Sequence, residues 1–433
     1  MARDAGTNPP WRWGDAFRWV VYDFANTAFA MVVLALVFPR MFKVHWGAGL
    51  DPAAESVAYK LAQAAPCLLV FFLAPFLGQL ALSPGFRARG LRVSVVGGAV
   101  LTALLGWVPE GGWLAAALLY VGSAALFYSA ATFYDSMLVD CAPPGRRHLL
   151  SGAAFSAGFL AGILILVALA LGTFEGRMSL VYPAAALWWL AFGAPLLARS
   201  GGYSAPLPPA RETWAETRAT AREIWSRPEL RWFLVAFILY IDGVHAVKTT
   251  ATHLGTVLGY GEADLIRAFF VVQAVGIPAA LAFGWLGHRW GAPPVIGVGL
   301  AVYALIAVLG ARMDPGDVVL LGQAFPRVWI LAAAVGLVQG GVQGLSRSHF
   351  AGLVPAGREA AYFGFYGMVG RFASFLGPLL GAAVGWLLAD PADPTSAERW
   401  GFASFGLLFV LGAGGLAMSA RVRGAVTRAG STS

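Results

Sequence analysis

Charge is scarce in this sequence. Asp, Glu, Lys and Arg make up 12% of its 433 residues, against roughly a quarter in soluble domains. Cysteine is nearly missing: Cys67 and Cys141 stand alone, which excludes a disulfide framework and gives no metal-ligand spacing. Lysine occurs three times, at 43, 60 and 248, and asparagine twice, at Asn8 and Asn26, neither in an N-x-[ST] sequon. The six histidines, at 45, 148, 245, 253, 288 and 349, form no H-E-x-x-H. No G-x-x-x-x-G-K-[ST] phosphate loop is present, and no serine has a readable base. These absences argue against an enzyme, against a metal or other cofactor, and against ATP hydrolysis by this chain. Long stretches of alternating apolar and polar residues are missing too, which excludes a transmembrane β-barrel.

What fills the space is hydrocarbon. Apolar residues make up 58% of the chain and the mean hydropathy is +0.69. They come in blocks of roughly 20, enough for a helix to cross about 30 Å. The expectation is an all-α integral membrane protein with about twelve spans, at 16–40, 58–82, 91–108, 112–140, 149–172, 179–198, 231–253, 264–287, 293–311, 327–351, 361–388 and 400–420. Nothing ahead of Trp19 reads as a cleaved signal, so the first span is expected to be retained. The net charge of +8 comes from arginines in short loops, which fits the positive-inside rule better than nucleic-acid binding. Arg3, Arg12 and Arg18, then Arg87, Arg89 and Arg92, then Arg146 and Arg147, then Arg421, Arg423 and Arg428 mark one side; acidic loops mark the other. Both termini are therefore expected in the cytoplasm, with the chain in a bacterial cytoplasmic membrane, acting as a monomer.

The expected organisation is a cytoplasmic tail (1–15), a six-helix half (16–198), a cytoplasmic linker (199–230), a second six-helix half (231–420) and a tail (421–433). The linker opens with "SGGYSAPLPPA" and continues as a helix in which Trp214, Ala221, Ile224 and Trp225 share a face beside Arg218 and Arg222. That pattern suits a helix lying at the membrane surface; a solvated linker helix is the plainer alternative. The two halves carry a repeat. Pro143, Gly145, Arg146, Gly152 and Gly158 align with Pro355, Gly357, Arg358, Gly364 and Gly370 at an offset of 212 residues, and Pro66 matches Pro278.

A charge near the bilayer centre costs about 2.5–3.5 kcal/mol on insertion scales, so intramembrane charges are candidates for function. Asp23 and Asn26 fall in span 1, Asp135 in span 4, Asp242 and His245 in span 7, Arg347 in span 10 and Arg371 in span 11. At 1.5 Å per residue, Asp242 lies roughly 18 Å into its span and Arg371 about 16 Å, both near the midplane. Asp242 and His245 share a helical face and are placed to carry a coupling proton, since imidazole titrates near neutrality. Asp135 and Arg347 also differ by 212 and, with Asp23, make a candidate set of gate ion pairs. Bland alternatives stay open: Asp23 as a cap, Asp135 and Arg347 as a static pair, His245 as a core hydrogen-bonder, and Lys248 snorkelling outward.

Three stretches carry a family resemblance: "YDFANTAFA" from Tyr22, "YIDGVHAVKTTAT" from Tyr240, and "GGVQGLSRSHFAGLVPAGREAAYFGFYGMVGRFASFLGP" from Gly340. They resemble the first, seventh, tenth and eleventh spans of the vacuole effluxer family, the autophagy-type branch of the major facilitator superfamily. The resemblance implies a major facilitator fold and a secondary transporter working by alternating access, with spans 1, 4, 7 and 10 lining a central path. Fungal vacuolar members are associated with export of amino acids. Asp23, Asn26, Asp242, Gln343, Ser346, Arg347 and Arg371 occupy signature positions, and Tyr22 and Tyr240 are further cavity-lining candidates. The aspartate that facilitators often carry in the loop between spans 2 and 3 is replaced here by Leu82, and its counterpart in the second half by His288. The acids of spans 1 and 4 are the candidates to take over its gating work. The expected substrate is a small zwitterion such as an amino acid, held by Asp242 and Arg371 and moved with proton coupling. The rival expectation is a lipid or amphiphile flippase.

Overall fold

The computed structural model describes residues 11–83, 85–198, 208–320, 322–372 and 376–430. The first ten residues and most of the Gly/Pro-rich start of the linker lie outside the described residues. Among the described residues, twelve helices are long and apolar enough to cross a membrane. Spans 1 to 6 are Trp13–Trp46, Pro52–Leu80, Phe86–Trp107, Trp113–Cys141, Pro144–Ala170 and Met178–Ala198. Spans 7 to 12 are Pro228–Val257, Glu262–Trp290, Ala292–Ala311, Arg327–Ala351, Glu359–Leu387 and Ser396–Ala425. Most run beyond the apolar blocks because polar end residues continue the helix. Span 2 starts three residues after Gly49 leaves right-handed space at φ 92°. Asp51 caps it, its carboxylate accepting from the Ala53 and Ala54 amides at 3.0 Å, and Pro52 occupies the first turn where no amide is needed.

Large apolar side chains cover the outside of the spans. Phe72, Leu118, Leu187 and Val298 are each more than 60% exposed. Such a surface is stable only in hydrocarbon, so the chain is a multi-pass membrane protein. The expected all-α membrane fold is the one observed, with a single addition in a loop. The loop between spans 9 and 10 holds a small hairpin, β1 (Asp317–Leu320) against β2 (Gln323–Pro326), antiparallel with Asp317 opposite Pro326. Gly322 supplies the turn with φ 81°.

The chain forms two compact units. Unit 1 comprises Met1–Leu150, Ala157–Ala221 and Val354–Arg371; unit 2 comprises Ser151–Ser156, Arg222–Leu353 and Phe372–Ser433. The start of span 11 thus packs with the first six spans, and the segment Ser151–Ser156 within span 5 with the last six. Glycine makes both arrangements possible. In unit 1 a Cβ on Gly364 would meet the Ala74 carbonyl oxygen at 2.5 Å, and one on Gly78 would meet the Gly364 Cα at 2.9 Å. In unit 2 a Cβ on Gly152 would meet the Ala280 carbonyl oxygen at 2.6 Å and the Gly284 Cα at 3.0 Å. The repeated glycines, 152 and 364, are therefore equivalent crossing points where helix backbones touch.

The linker helix, Ala210–Ser226, buries Thr213, Thr217, Thr220 and Ile224 on one face. Its exposed side carries Trp225, 63% exposed, with Arg218 and Arg222. Trp214, 42% exposed, leans on Phe76 of span 2 with ring centroids 4.9 Å apart.

Candidate functional site

In unit 1, spans 1 and 4 are bound together just below their charges. The Trp19 indole N–H donates to the Tyr134 carbonyl at 3.1 Å, and the Tyr134 hydroxyl donates to the Trp19 carbonyl at 3.0 Å. The two rings stack at 4.6 Å, and Tyr22 packs on Tyr134 at the same distance. Trp19, Tyr22 and Tyr134 are all buried. This aromatic block holds Asp23 and Asp135, both half-buried, so that each acts on the Tyr22 hydroxyl. Asn26 donates to the Asp23 carboxylate at 3.3 Å, and Thr27 donates to the Asp23 carbonyl at 2.9 Å. Asn26 therefore steadies the aspartate one turn away. Beyond it, span 1 widens into π-helical turns over Ala30–Leu36 and Phe42–Trp46. They flank Pro39, whose ring removes one intrahelical donor.

Further along span 4, Tyr128, Thr132 and Asp135 stand at helical spacing on one face. The Arg371 guanidinium lies 3.9 Å from the centre of the Tyr128 ring. Its Nε is buried and has no hydrogen-bond partner, and neither has the Thr132 hydroxyl. Cys67 of span 2 adjoins the Tyr128 hydroxyl and feels the Arg371 charge. Tyr128, Thr132 and Cys67 were not among the residues singled out from the sequence. The signal available for the first two was their spacing from Asp135.

In unit 2, Asp242 is fully buried and neither carboxylate oxygen has a hydrogen-bond partner. The backbone amides of Leu376 and Gly377 face the carboxylate. Gly377 leaves the space: a Cβ there would stand 2.6 Å from the Ala246 Cβ and 3.5 Å from Asp242 Oδ1. His245, half-buried, takes a hydrogen bond on its carbonyl from Thr249 at 3.0 Å. Tyr240 and Ser346, both buried, share a 2.7 Å hydrogen bond between spans 7 and 10. Ser346 also reaches the Val342 carbonyl at 2.6 Å.

Arg347 is 5% exposed. Its Nε donates to the Ser151 hydroxyl at 3.1 Å, Ser151 in turn donates to the Gly344 carbonyl at 2.8 Å, and the guanidinium lies 4.9 Å from the Phe155 ring. Arg347 is thus built into the span 5–span 10 contact within this unit. Gln343 is half-buried and donates to the Gln339 carbonyl at 3.3 Å. The structure brings together Tyr22, Asp23, Asn26 and Asp135 in unit 1, and Tyr240 with Ser346 in unit 2.

Among the described residues, Asp242 and Arg371 are the charged side chains left with buried, unpartnered polar atoms. Native proteins rarely leave such atoms unpaired, because each costs desolvation energy without a bond in return.

Among the described residues, twelve spans enclose buried charges, and such charges mark a substrate or ion pathway more often than a lipid-facing surface. The solved major facilitator superfamily proton:xylose symporter XylE matches over 93% of this chain and 93% of its own, with a TM-score of 0.63 at 11% identity, so the fold is that of the major facilitator superfamily. A Bacillus subtilis (strain 168) protein described as an uncharacterised MFS-type transporter, YxiO, is 32% identical over 409 residues, 91% of this chain and 92% of that protein. The family described as "Vacuole effluxer Atg22 like" matches residues 139–429. The chain belongs to that family. Autophagy-related protein 22 of Cryptococcus neoformans is 27% identical over 274 residues, 58% of this chain but 47% of the fungal protein. The match therefore spans about half of that relative's length.

Proposed function

We propose that this transporter moves a small zwitterionic solute, such as an amino acid, across a bacterial cytoplasmic membrane by alternating access. The observation that carries the reading is the pair of unmet charges. Asp242 offers two buried oxygens to an ammonium group, and Arg371 offers a buried N–H, on a guanidinium backed by Tyr128, to a carboxylate. In this reading each charged group of a zwitterion meets one of these side chains during the transport cycle, and charge-assisted bonds are the strong ones. Asp242 and His245 also carry the coupling proton in this reading. Asp23, Asp135 and Arg347 exchange partners between states as the gate. The N-terminus, the linker and the C-terminus face the cytoplasm, where the arginine-rich loops lie.

Ligand-induced thermostabilisation tests the zwitterion directly, because a ligand at 100 times its Kd adds about 2.7 kcal/mol. Amino acids are expected to raise the unfolding midpoint, and their decarboxylated amines and N-acetylated acids are not. Equal stabilisation by the amine alone would remove Arg371 from the reading.

A second reading, transport of a lipid or other amphiphile, draws on a cavity of about 440 Å³ in unit 2. Its walls are almost wholly apolar, formed by Gly381, Gly385, Phe402 and Phe405, with His253 and Glu398 at one end, 3.8 Å apart.

A further inference from the structure

The linker-side end of span 2 is not left to solvent. Gln79, the penultimate residue of that helix, is 7% exposed. Its amide nitrogen donates to the carboxylate of Glu216 on the linker helix in a short hydrogen bond. Its amide oxygen faces the Thr220 hydroxyl at 3.4 Å. That hydroxyl has a single proton, shared between Gln79 and the Glu216 carbonyl at 3.0 Å. As an acceptor, the same oxygen takes a 2.7 Å hydrogen bond from the guanidinium of Arg358, one residue before span 11. One turn of the linker helix therefore bridges span 2 to the entrance of span 11. Beneath the bridge the two helices touch backbone to backbone, Gly78 against Ala360 and Gly364. All these residues belong to unit 1.

Each partner is specific. Gln79 is one of six glutamines in a chain with few amides, and it is buried with both ends of its amide engaged. Thr220 is fully buried. Thr213 and Thr217 extend the same face, their hydroxyls turned to the Pro209 and Thr213 carbonyls. A helix that merely tethered two halves would need none of this.

We infer that the linker helix is a latch. It clamps the linker-side ends of spans 2 and 11 together through Glu216, Gln79, Thr220 and Arg358. Those ends come from different six-span halves of the chain, so alternating access requires them to part, and the latch sets how readily they do. This rests on the transporter reading but not on any substrate.

The test is a distance measurement on the full chain in nanodiscs. Spin labels are placed at Ser83→Cys and Ala356→Cys in a Cys67→Ser/Cys141→Ala background, and their separation is read by pulsed electron resonance without substrate. The latched protein is expected to give one short, narrow distance. Glu216→Ala/Thr220→Val is expected to raise the ratio of a second, longer population by roughly tenfold or more, since bonds to a charged group are the stronger kind. Gln79→Leu, close to isosteric, is expected to raise it roughly fivefold. Unchanged distances in both variants would overturn the latch, leaving the helix as a resting linker. Failure of both variants to give monodisperse protein would also overturn it, by making the network part of the fold.

Discussion

Replacing Asp242 by asparagine separates two accounts of a buried charge. If Asp242 were half of a structural ion pair, removing it would strand a buried partner and cost about 3–5 kcal/mol. Among the described residues it has no such partner: the side chain is fully buried and neither oxygen has a hydrogen-bond partner. The native protein then already bears a penalty. That penalty is several kcal/mol for a buried ion, or about 1–3 kcal/mol for an unsatisfied polar group if the site holds a neutral acid. Asparagine has the same shape, fits the space that Gly377 leaves, and carries only the smaller penalty. Asp242→Asn is therefore expected to equal the native protein or to exceed it by up to about 3 kcal/mol. For a chain of this size that is a rise of a few degrees at most, at roughly 1–2 °C per kcal/mol. A thiol-reactive dye reads the unfolding well, because Cys141 is buried and Cys67 half-buried. Solute-dependent stabilisation should vanish in the same samples. A midpoint falling by 5 °C or more would refute the reasoning and make Asp242 a structural residue.

Arg371→Lys keeps the charge but loses the planar stack on Tyr128 and the Nε donor; half-saturation for a carboxylate solute is expected to rise at least fivefold, measured by thermal shift. Tyr128→Phe keeps the stack and should change it less than twofold. Tyr240→Phe deletes the 2.7 Å bond to buried Ser346 and is expected to cost about 1 kcal/mol or somewhat more, read as a lower unfolding midpoint. Gly364→Val and Gly152→Val would drive a Cβ into carbonyl oxygens at 2.5 and 2.6 Å. Each should lose about 1–3 kcal/mol or fail to fold, whereas Gly145→Ala, with nothing within 4 Å, should be silent in the same assay.

The twelve spans were legible because hydrocarbon imposes length and composition on every crossing helix. The repeat was legible for a related reason. Glycine is required wherever two backbones meet, so Gly152 and Gly364 keep their place in both halves. The charges of spans 1, 4, 7, 10 and 11 stood out against an apolar background, but what surrounds each did not. Depth along the spans set Arg371 apart from Arg347, but not that Arg347 is bonded to Ser151 inside its unit while Arg371 lies over Tyr128 with its Nε unpaired. The protein-facing side of the linker helix was hidden by chemistry. Threonines that return their hydroxyls to the carbonyl one turn back present methyl groups outward, so Thr213 and Thr217 pack as apolar residues while reading as polar, and the partners of the Thr220 hydroxyl, Gln79 and Arg358, lie far from it in the chain. The hairpin from Asp317 to Pro326 was missed because four-residue strands in a loop leave no periodic signal.

Counterflow in proteoliposomes tests the central claim most directly. Vesicles are loaded with a mixed pool of amino acids, and uptake of each labelled compound is followed with and without an inward-acid pH gradient, beside Arg371→Ala. The expected result is saturable uptake of one class of amino acid, lost in the variant and altered by the gradient. No uptake of any amino acid by demonstrably folded protein would contradict the account and turn attention to amphiphiles at the apolar cavity of unit 2.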